Sequence, residues 1–200
     1  MSGRAKIAGI ILSGGASRRM GTPKALLRFQ NETFLDRLIR VFGRVCDPVI
    51  VVVGQHADPI RAGIERGGEV LFAVNPDPER GMLSSLQCGL AVVPATTVAA
   101  MFSPVDHPNV EASTLETLAA RFRTERAPVT VPTYLGEHGH PVCIARSLID
   151  EFLALPADAK ASDVIHRHVA RTSYIEVTDQ AIVTDVDDPA AYADLLARHL

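Results

Sequence analysis

The chain has 200 residues, 47% of them hydrophobic and 22% charged, with a net charge of −3. Such a chain buries a substantial core, and a disordered protein is excluded. Weak acidity argues against general affinity for nucleic acid. Three scattered cysteines without a C-x-x-C pair provide neither a disulfide framework nor a zinc ribbon, and no apolar run reaches transmembrane length. The cysteine usage and the lack of a signal-peptide pattern suit a cytoplasmic protein, read as a single domain over residues 1–200.

In chain order, Ile7 to Leu12 is an apolar run that fits a strand buried on both faces. It breaks into a turn of small residues, Ser13-Gly14-Gly15-Ala16-Ser17, followed by Arg18, Arg19, Gly21 and Lys24. Glycine lets a ligand approach the main chain, and successive N–H groups form an anion-binding concavity. Arg19 and Lys24 can neutralise phosphate charge there. The spacing matches neither the P-loop nor G-x-G-x-x-G, and an ordinary βα turn that happens to be basic is the alternative.

Ala25 to Phe29 is short and apolar, and Gln30 to Glu32 is a polar turn. Thr33 caps a helix to about Val45, with Phe34, Leu38, Val41 and Phe42 on one face. Pro48 to Gly54 reads as a strand, Ala57 to Arg66 as a helix closed by Gly67-Gly68, and Glu69 to Val74 as a third strand. Asn75 to Gly81 is a loop, Met82 to Val93 a helix ended by Pro94, and Val98 to Phe102 a fourth strand. This alternation predicts a mostly parallel sheet with helices on both faces. Ligands in such sheets sit beyond the carboxyl ends of the strands. Three loops land there: Ser13–Lys24, Asn75–Gly81 and Ser103–Asn109.

The second half is less regular. Glu111 to Thr124 is a helix, and Pro128 to Pro132 is a proline-bounded edge strand. Tyr134 to Ala145 is a hairpin or an excursion over the site. Ser147 to Leu155 and Ser162 to Val169 read as helices, Tyr174 to Val177 and Ala181 to Val183 as strands. A terminal helix begins at Asp188 or Pro189 and runs through Leu200, with proline in its first turn. The fold class is α/β: a three-layer sandwich, mostly parallel, with an irregular antiparallel excursion in the second half.

Asp106 follows a strand, across from the phosphate-binding turn, which suits Mg²⁺: that ion takes one or two carboxylates and completes its shell with phosphate and water; an Asp that caps the turn before Pro108 is the alternative. Asp185 and Asp187 form a second acidic cluster, and one of them supplies the other carboxylate; Asp187 is preferred, with a solvated helix start as the alternative. Asn75, Gly81, Ser84 and Ser85 lie at a loop and helix start, where they bind nucleotide or simply cap the helix. The His138/His140 pair lacks a third soft ligand, so zinc is set aside in favour of a polar lining for an acceptor substrate. His166 and His168 read as surface residues.

The run Leu12-Ser13-Gly14-Gly15-Ala16-Ser17-Arg18-Arg19-Met20-Gly21 with Lys24 resembles the signature of nucleotidyltransferases, above all the molybdenum cofactor nucleotidyltransferases, the MobA-like group. The likeness extends through Asn75, Arg80-Gly81-Met82, Ser84-Ser85, Asp106-His107-Pro108, Gly139-His140-Pro141 and Asp185-Val186-Asp187. It implies a Rossmann-like fold and transfer of a nucleotide from CTP or GTP to the phosphate of a molybdopterin-type acceptor. Gly14 leans towards the guanylyl branch and the downstream motifs lean towards the cytidylyl branch, so both donors stay open.

The resemblance further implies that residues 12–19, Gly21, Lys24, Asn75, Gly81, Ser84 and Ser85 bind nucleotide, with Arg19, Lys24 and Asp106 catalytic. Asp106 and Asp187 would hold Mg²⁺, while His107, Gly139, His140 and Pro141 face the acceptor. A molybdoenzyme or its chaperone is the expected protein partner; nucleic acid and membrane are not. A sugar-phosphate nucleotidyltransferase and a non-catalytic cofactor-binding chaperone are the rival readings.

Overall fold

The apolar run near the N-terminus becomes the middle of a sheet. In this computed structural model, residues 5–15, 17 and 19–198 are described. Their strands are β1 (Ile7–Ser13), β2 (Arg28–Phe29), β3 (Glu32–Thr33), β4 (Val49–Val53), β5 (Leu71–Val74), β6 (Ala99–Pro104), β7 (Val129–Tyr134), β8 (Glu137–His138), β9 (Val142–Ala145) and β10 (Ser173–Glu176). The helices are α1 (Phe34–Phe42), α2 (Ala57–Gly63), α3 (Met82–Ala91), α4 (Ala112–Glu125), α5 (Ile149–Leu153), α6 (Ala161–Arg167) and α7 (Pro189–Ala197).

The large sheet has the order β10-β7-β9-β6-β1-β4-β5, with β8 paired to β7. β1 runs parallel to β4 and β6, β4 to β5, and β7 to β10. The antiparallel pairings are those of β9 with β6 and β7, and of β8 with β7. The expected α/β sandwich forms, and the excursion in its second half is the β8–β9 segment.

Alternation along β1 builds both layers. Ile7 and Ile11 join the core beneath α1 and α4, while Ala8, Ile10 and Leu12 join the core beneath α3, α5 and α6. Leu115, Leu118 and Phe122 of α4 are essentially excluded from water. Each such side chain contributes about 1.5–3 kcal/mol by burial. Thr33 caps α1 as expected, accepting from the Asp36 amide at 3.0 Å. Asp36 is buried beside it and accepts the Glu65 and Arg66 amides, which ties the chain just after α2 to the start of α1.

Several elements differ from expectation. β7 is no edge strand: β10 lies on one side, β9 and β8 on the other. Pro132 is tolerated because the antiparallel partner changes there, from β9 beside Val129 and Thr130 to β8 beside Thr133 and Tyr134. Residues Gln180–Val183 form a 3-10 turn rather than a strand, started by the Asp179 side chain accepting the Ala181 amide. α2 ends at Gly63, and Gly67–Glu69 is a separate 3-10 turn. His168 is partly buried against Glu151 at 3.0 Å rather than free on the surface. The terminal helix starts as read, with Asp188 capping the Ala190 and Ala191 amides and Pro189 in the first turn.

Candidate active site

The carboxyl ends of β1 and β6 open into a cavity of about 470 Å³. All three expected loops reach it. Leu12, Ser13, Gly14, Gly15, Ser17, Arg19 and Lys24 line it from the first, Pro78 and Gly81 from the second, and Pro104, Val105 and Asp106 from the third. The Val105 amide donates to the Leu12 carbonyl at 3.0 Å, holding the first and third loops together. Ala16 and Arg18 lie outside the described residues.

Four charged side chains meet in this cavity. Lys24 Nζ donates to Asp106 Oδ2 at 3.1 Å and to Asp187 Oδ1 at 2.5 Å. Arg19 donates to Asp187 Oδ2 at 2.9 Å. The hydrogen bond from Lys24, reinforced by Arg19 and opposed by partial burial, holds the Asp187 carboxyl below its ordinary range. Lys24 is aimed by its own backbone, whose amide donates to Ser17 Oγ at 3.0 Å, while Ser17 and Gly21 take positive φ in the turn. Asp187 is thus the carboxylate brought to Asp106. Asp185 instead lines a separate cavity with Pro108, Glu111 and Asp194.

This donor set suits a hard divalent cation. Two carboxylates, both partly open to water, converge on a single cationic atom. Among the described residues no group of three or more His, Cys, Asp or Glu side chains could hold a metal alone. Oxygen ligands limited to two carboxylates match an ion that takes the rest of its shell from phosphate and water. Without such an ion the two carboxylates cancel the charge of Arg19 and Lys24.

The second loop contributes shape. Gly81 adopts φ 91° and ψ −174°, a conformation reserved for glycine, and so turns the chain into α3. Asn75 is buried and turned inward: its Nδ2 donates to Ser84 Oγ at 2.8 Å and Ser85 Oγ at 3.0 Å. Ser84 Oγ donates in turn to the Gly81 carbonyl at 2.8 Å. Asn75 and Ser84 therefore brace the loop, and Ser85 reaches the cavity wall beside Gly81 and Met82. A methyl group on Gly14 would lie 2.6 Å from Ser85 Oγ. Ile60 and Pro78 complete an apolar part of the wall. Nothing local marks Ile60, which reads as an ordinary core position of α2.

His107, Gly139, His140 and Pro141 do not line this cavity. His107 is buried, its Nδ1 3.3 Å from the Ala181 carbonyl and its Nε2 4.0 Å from Asp106 Oδ1. His140 packs 5.2 Å from the His107 ring. Burial first, and then His107 beside it, pushes the His140 imidazole down to about 4. Gly139 lies against the Ile182 backbone, with no room for a side chain. His138 instead stacks on Tyr174, ring centroids 4.6 Å apart, well removed from a ligand pair with His140.

The chain matches the MobA-like NTP transferase domain over residues 9–172. It is 23% identical to the molybdenum cofactor cytidylyltransferase of Escherichia coli over 95% of each chain. It is 30% identical to the molybdenum cofactor guanylyltransferase of Mesorhizobium japonicum over 82% of this chain and 81% of that one. Among solved structures, Rv0371c of Mycobacterium tuberculosis superposes with a TM-score of 0.85 at 28% identity, covering 96% of this chain and 98% of that one. A second structure of Rv0371c, a complex with manganese, superposes with a TM-score of 0.80 at 26% identity, covering 96% and 99%. No helix of the described residues is long and apolar enough to cross a membrane.

Proposed function

Since the chain belongs to the family of MobA-like NTP transferase domains and is a nucleotidyltransferase, we propose that it moves CMP from CTP to the phosphate of molybdopterin, with Mg²⁺ as cofactor and pyrophosphate as the second product. The observation that carries this reading is the meeting of Arg19, Lys24, Asp106 and Asp187 where β1 and β6 end. Two cations cancelled by two carboxylates hold a triphosphate poorly. The same four groups with a divalent ion added are net positive and suit it well.

Asp106 and Asp187 hold the ion in this reading, and the ion when bound draws negative charge from the phosphate oxygens. Arg19 and Lys24, with the amides of Ser13, Gly14, Gly15 and Ser17, hold the triphosphate. Leu12 to Gly15, Gly81 and Ser85 flank the nucleoside, and Gly21, Asn75 and Ser84 keep those loops in shape. An oxygen of the acceptor phosphate attacks the α-phosphorus and a new P–O bond forms. The bond from the α-phosphorus to the bridging oxygen breaks, and pyrophosphate leaves with that electron pair. The acceptor is already an anion, so no strong general base is required; catalysis is positioning and charge neutralisation. Lys24 and Arg19 stabilise the charge that develops on the departing pyrophosphate.

GTP is the second donor to consider, because the chain is also 30% identical to a molybdenum cofactor guanylyltransferase over 82% of its length. Pyrophosphate release measured with CTP and with GTP, each with molybdopterin, with a sugar phosphate and with no acceptor, tests the reading. Release that requires CTP, molybdopterin and Mg²⁺ together is expected. Release with GTP alone moves the donor assignment, and release only with the sugar phosphate moves the acceptor. Nucleotide binding without any release defeats the enzymatic reading and leaves a binding chaperone.

A further inference from the structure

Asp187 reaches Asp106 on a segment with little secondary structure of its own, a 3-10 turn over Gln180–Val183 followed by chain without regular structure. Something outside the segment must set its position, and the structure shows three anchors. At its start, Asp179 is buried and accepts three hydrogen bonds: from the Glu111 amide at 2.9 Å and Thr114 Oγ1 at 2.8 Å at the start of α4, and from the Ala181 amide at 3.0 Å in the turn itself. In its middle, the His140 amide donates to the Ile182 carbonyl at 2.9 Å, and His107 Nδ1 sits 3.3 Å from the Ala181 carbonyl. A Cβ on Gly139 would lie 2.5 Å from the Ile182 oxygen and 2.7 Å from its carbonyl carbon. At its end, the Val186 amide donates to the Asp106 carbonyl at 2.8 Å, one residue before Asp187.

We propose that the Gly139-His140 turn and Asp179 are positioning elements that seat the Gln180–Asp187 segment and thereby set the approach of Asp187 to Asp106. The inference rests on the reading of those two carboxylates as the metal pair. It also gives the turn a different role from contact with the acceptor. The backbone contact at Gly139 is closer than any side chain permits, so the turn and the segment fit as one surface. Any substitution at Gly139 pushes the segment outward, and Asp187 moves with it. Asp179 works from the opposite end: a carboxylate that accepts three donors cannot be replaced by an amide without turning an N–H group towards one of them.

The test is Mn²⁺ binding by electron paramagnetic resonance, with the metal alone, for Gly139→Ala, Asp179→Asn, Asp187→Asn and the two double variants carrying Asp187→Asn. Circular dichroism checks that each is folded. Gly139→Ala and Asp179→Asn are each expected to weaken Mn²⁺ binding about tenfold, the scale of supports behind metal ligands. In the Asp187→Asn background both effects should vanish, since the ligand they position is gone. Should Gly139→Ala fail to fold, Asp179→Asn decides alone. Unchanged Mn²⁺ binding in a folded variant, or a tenfold loss that persists without Asp187, overturns the inference. Unchanged binding in Asp187→Asn itself overturns the metal reading and this inference together.

Discussion

Replacing Lys24 with methionine separates two effects that usually move together. The ammonium donates to Asp106 at 3.1 Å and to Asp187 at 2.5 Å, and so occupies the space between the two carboxylates. A divalent ion that uses both must displace it. Opposite unit charges about 4 Å apart interact by about 4 kcal/mol at an effective dielectric of about 20. Asp187 is about 38% exposed and Asp106 about 23%, so solvent reduces the net competition to about 1–2 kcal/mol. Lys24→Met should therefore bind Mn²⁺ about tenfold more tightly in the absence of nucleotide. In the proposed reaction its kcat should nevertheless fall by about 10²–10³, because that reaction would lose a preorganised cation at the departing pyrophosphate. Electron paramagnetic resonance titration of Mn²⁺ and pyrophosphate release on the same preparation read the two effects. Weaker Mn²⁺ binding in the variant would refute the argument, since Lys24 would then be supporting the metal site rather than filling it.

Two further outcomes follow from groups near the cavity. The His140 imidazole is held down to about 4 by burial and then by His107, against about 6.5 in an unfolded chain. Between these values the unfolded chain takes up a proton that the folded chain refuses, so stability falls as pH drops, by about 2 kcal/mol between pH 7 and 5. Urea denaturation of His140→Gln at both pH values should show that loss largely removed, and an equal loss in variant and parent would refute it. Gly14→Ala places a methyl group 2.6 Å from Ser85 Oγ and forces that hydroxyl off its hydrogen bond with Asn75. The expected destabilisation, about 1–3 kcal/mol, should be recovered by adding Ser85→Ala; a double variant melting no higher than Gly14→Ala alone would show that the collision is not the cause.

Local chemistry alone determined a good deal of this protein. The unbroken apolar run of Ile7 to Leu12 has no stable place except a strand covered on both faces, and that is where β1 lies. Thr33, Gly81 and Asp188 set their helix starts through contacts within a few residues, so the sequence around each was enough to read them. The cavity's first wall was legible for the same reason: a glycine-rich turn after a buried strand carries its amides and its cations with it.

Tertiary structure decided which charges meet and which polar groups face inward. Lys24 joins Asp106 and Asp187, which lie 82 and 163 residues further along the chain, while Asp185, two residues before Asp187, lines another cavity. Asn75 braces two serines, and Gly139 presses on Ile182, because the elements carrying them are packed together by the sheet. Pro132 sits inside the sheet because its neighbouring strand changes at that point, a matter of register between distant segments. Periodicity and capping are short-range effects and are written in adjacent residues. The partner of a charge or of a buried amide is set by strand order and register, which the core as a whole selects.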